Sequence, residues 1–390
     1  MRRSALAAFL LFGALDAAAQ VCNGPAFSGA ADFAVGTAPV GLAAGDFNRD
    51  GRLDLAVTNF SSNNVSILLA PFGTATNYPA GSVPDGIIAV DLNHDNVLDL
   101  AIADRAGTVT VLLGNGDGTF GAPASFPTGN SATNVAAGDF NGDGNVDLAV
   151  ATFNNVAVLL GNGNGTFGAA SLLPVGPQLW AIAAADFNED HRLDLAVTNV
   201  ASNIVSILLG NGNGTFSAPA NFATGTTPRS LVAADLSGDG HVDLATANEG
   251  SENASVLLGT GTGSFAAAVN YRTGNASPQL NPVFPNSITV ADFDADGLPD
   301  LAVSNFGTSN VSILTGTGGG LFAPAVHFAL STPPHAVKAI GRDLALADIV
   351  TNKVTILSNA CPIPALSPIA LALLAAGLVI IAASRSTIVP

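Results

Sequence analysis

At 390 residues, with 29 Asp and Glu against 12 Lys and Arg, the chain carries a formal net charge of -17. Its few cations are scattered rather than gathered into a patch, so the electrostatic footprint of a nucleic-acid-binding protein is absent. The length suits two average domains or one repeat array, and internal periodicity separates the two.

The chain opens on Arg2 and Arg3, continues through an apolar run from Ala5 to Leu15 and reaches the small residues Ala17, Ala18 and Ala19. Charged, apolar and small-residue regions in this order form a secretory signal. Residues 1–19 are therefore expected to be a signal peptide and the exported chain to start at Gln20. Val21 stands before Cys22, where a lipoprotein would need a small residue.

From Asp46 onward a nine-residue pattern recurs, and its clearest copy is Asp139-Phe140-Asn141-Gly142-Asp143-Gly144-Asn145-Val146-Asp147. Oxygen-bearing side chains stand at positions 1, 3, 5 and 9, a glycine at 6 and an apolar residue at 8. Alternate residues of a tight loop, joined by the backbone carbonyl of position 7, form a cage for calcium, which takes about six to eight oxygens. In chain order the ligand sets begin with Asp46, Asn48, Asp50, Arg52 and Asp54, then Asp91, Asn93, Asp95, Val97 and Asp99. The loop quoted above gives Asp139, Asn141, Asp143, Asn145 and Asp147, and the next gives Asp186, Asn188, Asp190, Arg192 and Asp194. The last two are Asp235, Ser237, Asp239, His241 and Asp243, and Asp292, Asp294, Asp296, Leu298 and Asp300. Position 6 calls for left-handed backbone, and where glycine is missing the substitutes are Asn96 and His191, residue types that tolerate it.

A lone copy would read as an ordinary polar turn, whereas six in register point to as many as six structural calcium ions. Three acidic residues per loop, plus Asp294, account for 19 of the 29. The acidity is thus metal demand, and six divalent ions would leave a net charge of about -5.

The first aspartates of the loops are 45, 48, 47, 49 and 57 residues apart, the period of a four-stranded propeller blade. One unit reads as strands at Leu179 to Phe187, Leu193 to Thr198, Ile204 to Leu209 and Phe216 to Phe222, with the turn Gly210-Asn211-Gly212-Asn213-Gly214 before the fourth. A seventh unit follows, with strands at His335 to Gly341, Asp343 to Val350 and Lys353 to Leu357, and only Arg342 in place of a loop. Its fourth strand is expected from the other end of the chain, because Phe27 to Gly36 aligns with Phe216 to Gly225. The same alignment brings Cys22 and Cys361 to neighbouring positions and predicts a disulfide in an oxidising compartment. Past Cys361, the stretch from Leu366 to Ser384 holds no charged residue and spans about 28 Å as a helix, so residues 362–390 are expected to form a membrane segment.

These motifs, with Gly-Asn-Gly-Asn-Gly-Thr-Phe and Phe120-Gly121-Ala122-Pro123 between the loops, resemble the FG-GAP repeat, also known in bacteria as the VCBS repeat, from about residue 23 to 361. The resemblance implies a seven-bladed propeller like that of integrin alpha subunits, with calcium loops joining the first and second strands; the seventh unit departs from it. The tail, Ile363-Pro364-Ala365-Leu366-Ser367-Pro368 followed by an apolar run and Arg385, looks like a PEP-CTERM or IPTL sorting signal with a single arginine.

The expected architecture is all-β: residues 20–361 form a seven-bladed propeller of four-stranded antiparallel blades, closed by the N-terminal strand and followed by a C-terminal transmembrane helix. On the end opposite the loops, the connections carry the less repetitive residues Arg105, Trp180, Arg229, Glu249, Glu252 and His335, and the long insertion from Asn275 to Ser287 that stretches one spacing to 57, candidates for a ligand-binding face. No Ser/His/Asp or Cys/His arrangement stands out among the five histidines and two cysteines. The leading expectation is a monomeric, non-enzymatic binding or adhesion module for an extracellular protein or glycan, at the bacterial surface. A carbohydrate lyase or dehydratase and a purely structural surface component are the alternatives.

Overall fold

The computed structural model describes residues 24–274 and 282–360. The expected signal peptide, Cys22, Cys361, the C-terminal segment and residues 275–281 of the long insertion lie outside them. Among the described residues no helix is long and apolar enough to cross a membrane, and every regular element is a strand.

The organising element is the second strand of each unit. In the first six units its six residues, Asp54–Asn59 and its equivalents, are all buried. Strand side chains alternate between faces, so a strand buried throughout needs cover on both sides. In Asp147–Thr152, Leu148 and Val150 enter a core shared with the preceding blade, while Ala149 and Ala151 enter one shared with the following blade. Among the described residues seven such apolar cores occur, each between two neighbouring blades.

Seven four-stranded antiparallel sheets result. The first runs Pro39–Gly45, Asp54–Asn59, Asn64–Leu68 and Thr76–Pro79 from axis to rim, and five more repeat that order. The first strands touch one another around the axis, and Pro39–Gly45 meets Ala336–Ile340 to complete the circle. At the rim the fourth strands are exposed except at their third residue, which is Tyr78, Phe126, Leu173, Phe222, Tyr271 or Phe328, and at the half-buried His327.

The last sheet is ordered Phe27–Ala34, Lys353–Asn359, Asp343–Asp348, Ala336–Ile340, so the N-terminal strand does supply its fourth member. Phe27 faces Asn359 and Ala34 faces Lys353. Asp32 accepts from Thr355 Oγ1 at 2.8 Å and pairs with Lys353 Nζ at 3.3 Å. One detail differs from the sequence reading: the fourth strand of the unit beginning at Leu179 is Ala220–Ala223, and Phe216 lies before it in a bridge to Gly210. The glycine-rich turn holds Phe216 apart from the strand so that its ring packs on Phe140 of the preceding blade.

Deleting residues 27–34 leaves Lys353–Asn359 as an open edge and removes the Phe27 ring from Phe293 and Phe328. The variant is expected to lose its cooperative melting transition and to aggregate, read by calorimetry and size-exclusion chromatography. An unchanged transition would mean that the ring closes without this strand.

Candidate functional sites at the two ends of the channel

The aspartate-rich loops join first to second strands and gather at one end of the ring. In the first, Asp46 accepts from the backbone N–H groups of Asp50 and Gly51, at 3.0 and 2.8 Å. Asn48 Oδ1 also accepts from Asp50 N–H, and Asp50 Oδ1 from Arg52 N–H. The chain is thereby wound around its own carboxylates. Position 6 is left-handed in all six loops, with φ of 60° at Asn96 and 66° at His191. Position 4 is left-handed too, at Arg49, His94, Gly142, Glu189, Gly238 and Ala295.

Position 9 has a second task. Asp54, Asp99, Asp147, Asp194, Asp243 and Asp300 are fully buried. Asp147 Oδ2 accepts from Phe140 N–H at 2.9 Å and Oδ1 from Gly161 N–H at 2.7 Å, pinning the loop to the next hairpin of its own blade, and the other five do the same. The seventh unit keeps this aspartate as Asp343, bonded to Asn359 N–H at 2.7 Å, although its loop has gone. There Arg342 Nη2 donates to the Phe293 carbonyl of the sixth loop at 2.7 Å. At the first four loops a hairpin glycine of the following blade meets the equivalent carbonyl, as Gly118 N–H meets Phe47 O at 3.0 Å, while the following Phe120 packs on the Phe47 ring.

Asp292, Asp294 and Asp300 each bring one carboxylate oxygen within 4.8 Å of the others. Burial first, and neighbouring aspartates after it, push Asp300 up to about 7 and Asp99 up to about 6, against the pull of their backbone N–H bonds. Crowded oxygen donors free of nitrogen and sulfur, on a backbone already bent around them, fit a hard divalent cation at this end.

The opposite end is built from one position of the repeat. The second residue after the start of each inner segment, following a proline in five of seven cases, is Val40, Asp85, Thr133, Trp180, Arg229, Asn286 or His335. All seven line the mouth of the channel. Thr133 Oγ1 donates to Trp180 O at 2.8 Å, Asn286 Nδ2 to His335 O at 2.9 Å, and His335 Nδ1 lies 3.3 Å from Val40 O, so neighbouring blades are tied here.

Five of the six candidate ligand-face residues, Arg105, Trp180, Arg229, Glu249 and His335, line one cavity of about 360 Å³ at this mouth. Trp180, the only tryptophan in the chain, lies under both guanidinium groups, Arg229 at 4.2 Å from its ring centre and Arg105 at 4.8 Å. Arg105 pairs with Asp85 at 2.6 Å and Arg229 with Glu249. Burial raises Asp85 against the opposing pull of Arg105, and burial lowers His335 against the pull of Asp85. Glu252 stands apart, accepting from Val283 N–H at 3.2 Å and lining a separate cavity with Asn253, Asn270 and Arg272. Phe284 and Asn286, from the insertion between Asn275 and Ser287, share the mouth, and so do Asp85 and Phe306, which sequence reasoning passed over. Asp85 and Asn286 carried a usable signal: they occupy the residue after proline that varies from blade to blade within a repeated frame.

The FG-GAP-like repeat matches residues 91–150, 139–197, 193–246 and 236–303, and the FG-GAP repeat matches residues 38–68. No curated protein matches the chain. A catalytically inactive virginiamycin B lyase from Staphylococcus aureus, with quinupristin, is a similar solved structure at 13% identity and a TM-score of 0.61, covering 85% of this chain and 99% of its own. Hydrazine synthase from Kuenenia stuttgartiensis is similar at 14% identity and 0.61, covering 84% and 98%. An Agrocybe aegerita lectin that recognises non-reducing terminal N-acetylglucosamine is similar at 19% identity and 0.53, covering 75% and 80%. At such identities the likeness is one of fold.

The two kinds of loop aspartate separate experimentally. With chelator present, Asp147→Ala is expected to cost about 2–4 kcal/mol, because it strands two buried N–H donors. Asp143→Ala, at an exposed position, is expected to cost less than about 1 kcal/mol under the same conditions. Equal losses in chemical denaturation would refute the pinning role of position 9.

Proposed function

The chain belongs to the FG-GAP-like repeat family, and on that premise we propose that it is an exported binding module whose loop end holds structural calcium and whose channel mouth takes the ligand. The observation that carries the reading is the convergence of Arg105, Trp180, Arg229, Glu249 and His335, drawn from four blades, on one cavity. A ring of near-identical blades has no packing need for a different residue at one position in every blade. Variation at the mouth, with polar and aromatic groups lining a concave site, is how a fixed scaffold acquires a specific ligand.

Calcium has a complementary task in this reading. The carboxylates of the sixth loop are close enough to repel, and a bound divalent ion converts that repulsion into attraction. Because the loops and the mouth lie at opposite ends of the inner strands, the metal supports the ring and does not touch the ligand. The expected ligand is an extracellular protein or glycan, met at a bacterial surface.

Chelation is expected to lower the melting temperature by about 10 °C or more, since six sites contribute together. In calcium, Asp143→Ala is expected to cost about 2 kcal/mol and leave ligand binding within about twofold, whereas Trp180→Ala is expected to abolish binding at nearly unchanged stability. Melting curves and glycan-array or surface-capture binding read the two effects. A melting temperature indifferent to EDTA removes the metal, and binding that survives Trp180→Ala moves the ligand elsewhere.

A further inference from the structure

The chemistry of the mouth narrows the ligand class. Two cations and two anions line it, joined as Arg105 with Asp85 and Arg229 with Glu249. Their side chains are only partly exposed, 33% and 12% in the first pair and 25% and 26% in the second. Burial of His335 favours its neutral imidazole, so the cavity is close to charge balance.

Both pairs are joined through the guanidinium Nε. Among the described residues, each arginine side chain donates to protein only from that nitrogen, and each carboxylate accepts through one oxygen. Among the described residues the terminal guanidinium nitrogens and the second carboxylate oxygens have no hydrogen-bond partner in the protein; Arg105, Arg229 and Glu249 line the cavity, and Asp85 lines the channel mouth beside it. The site therefore presents donors and acceptors side by side, in two sets, with no net charge to offer.

A net anion would have to pull a guanidinium away from its carboxylate and leave that carboxylate buried and uncompensated, which is costly. A net cation meets the mirror-image difficulty. A neutral group that both donates and accepts meets neither, and a hydroxyl is such a group. Adjacent hydroxyls also match the two-atom bite of a carboxylate or a guanidinium. Beside these pairs, Phe284 and Phe306 line the same cavity and offer apolar faces for C–H groups. The cavity, at about 360 Å³, lies at the small end of ligand pockets.

From this we infer that the mouth binds a neutral sugar ring through vicinal hydroxyls, so that the ligand is an uncharged glycan end. The inference rests on the mouth being the binding site. A protein partner is the competing outcome, and an acidic sugar is the other.

Trp180 makes the test direct, because tryptophan emission, excited apart from the two tyrosines, reports this cavity alone. The calcium-loaded chain is screened on a glycan array and then titrated with neutral methyl hexopyranosides, their N-acetylated forms and the corresponding methyl hexuronides. At least one neutral sugar is expected to shift the emission saturably. Glu249→Gln leaves one guanidinium uncompensated and is expected to move preference toward the hexuronide by about tenfold. A wild-type chain that prefers hexuronides, or one that ignores every neutral glycan while capturing a protein through Trp180, overturns the sugar assignment and leaves the mouth as the site. Glycan binding that neither changes Trp180 emission nor weakens in Trp180→Ala fails the mouth itself. Melting curves of both variants confirm that they are folded.

Discussion

A strand buried on both faces cannot stand alone. Leu148 and Val150 need the blade before them and Ala149 and Ala151 the blade after, and the same holds around the ring. Each blade is thus half a core on either side, and no blade is a domain by itself. Free energy from apolar burial becomes available only between neighbours, so an open array would leave two terminal faces exposed to water. Closure is the way to have no ends.

The two ends of the channel solve different problems with the same strands. At the loop end, like charges are crowded and the backbone is bent into left-handed turns at positions 4 and 6, an arrangement that is costly without compensating contacts. Some compensation is covalently near: position 9 is buried and bonded to its own hairpin, and a phenylalanine of the next blade covers position 2. At the mouth the strands begin rather than turn, and the residue at this position ties neighbouring blades at Thr133, Asn286 and His335 without being held to the repeated aspartate pattern of the loops. It is there that chemistry differs from blade to blade.

Much of this was legible in the residues. The period gave the blades, the alignment of Phe27 with Phe216 placed the closing strand, and the Phe27 ring on Phe293 repeats the Phe216 ring on Phe140. Position 6 could be assigned because glycine, asparagine and histidine share a tolerance of positive φ. Position 4 could not, since Arg49, Glu189 and Ala295 show no such preference and are held there by the loop around them. Arg105, Trp180 and Arg229 stood out as rare residues, but their grouping around one indole depends on three blades meeting at an axis. Glu252 looked equivalent to them and is not, because it sits further from that axis and is engaged by Val283. Asp85 carries no such rarity: aspartate is abundant in this chain, and only its place after Pro84, outside any loop, sets it apart.

The join between Phe27–Ala34 and Lys353–Asn359 spans more than 300 residues of chain, as the Asp32 to Lys353 contact does. A polypeptide made from its N-terminus produces one half of that seam first and the other half last. During all the intervening synthesis the early strand has no partner, and six blades can stack before it finds one. The seam therefore works as a completeness check: a chain cut short anywhere before residue 353 keeps an unpaired strand at one end and a bare blade face at the other. Such fragments expose an unpaired edge and an apolar face to water and to one another, whereas the finished chain hides both at once.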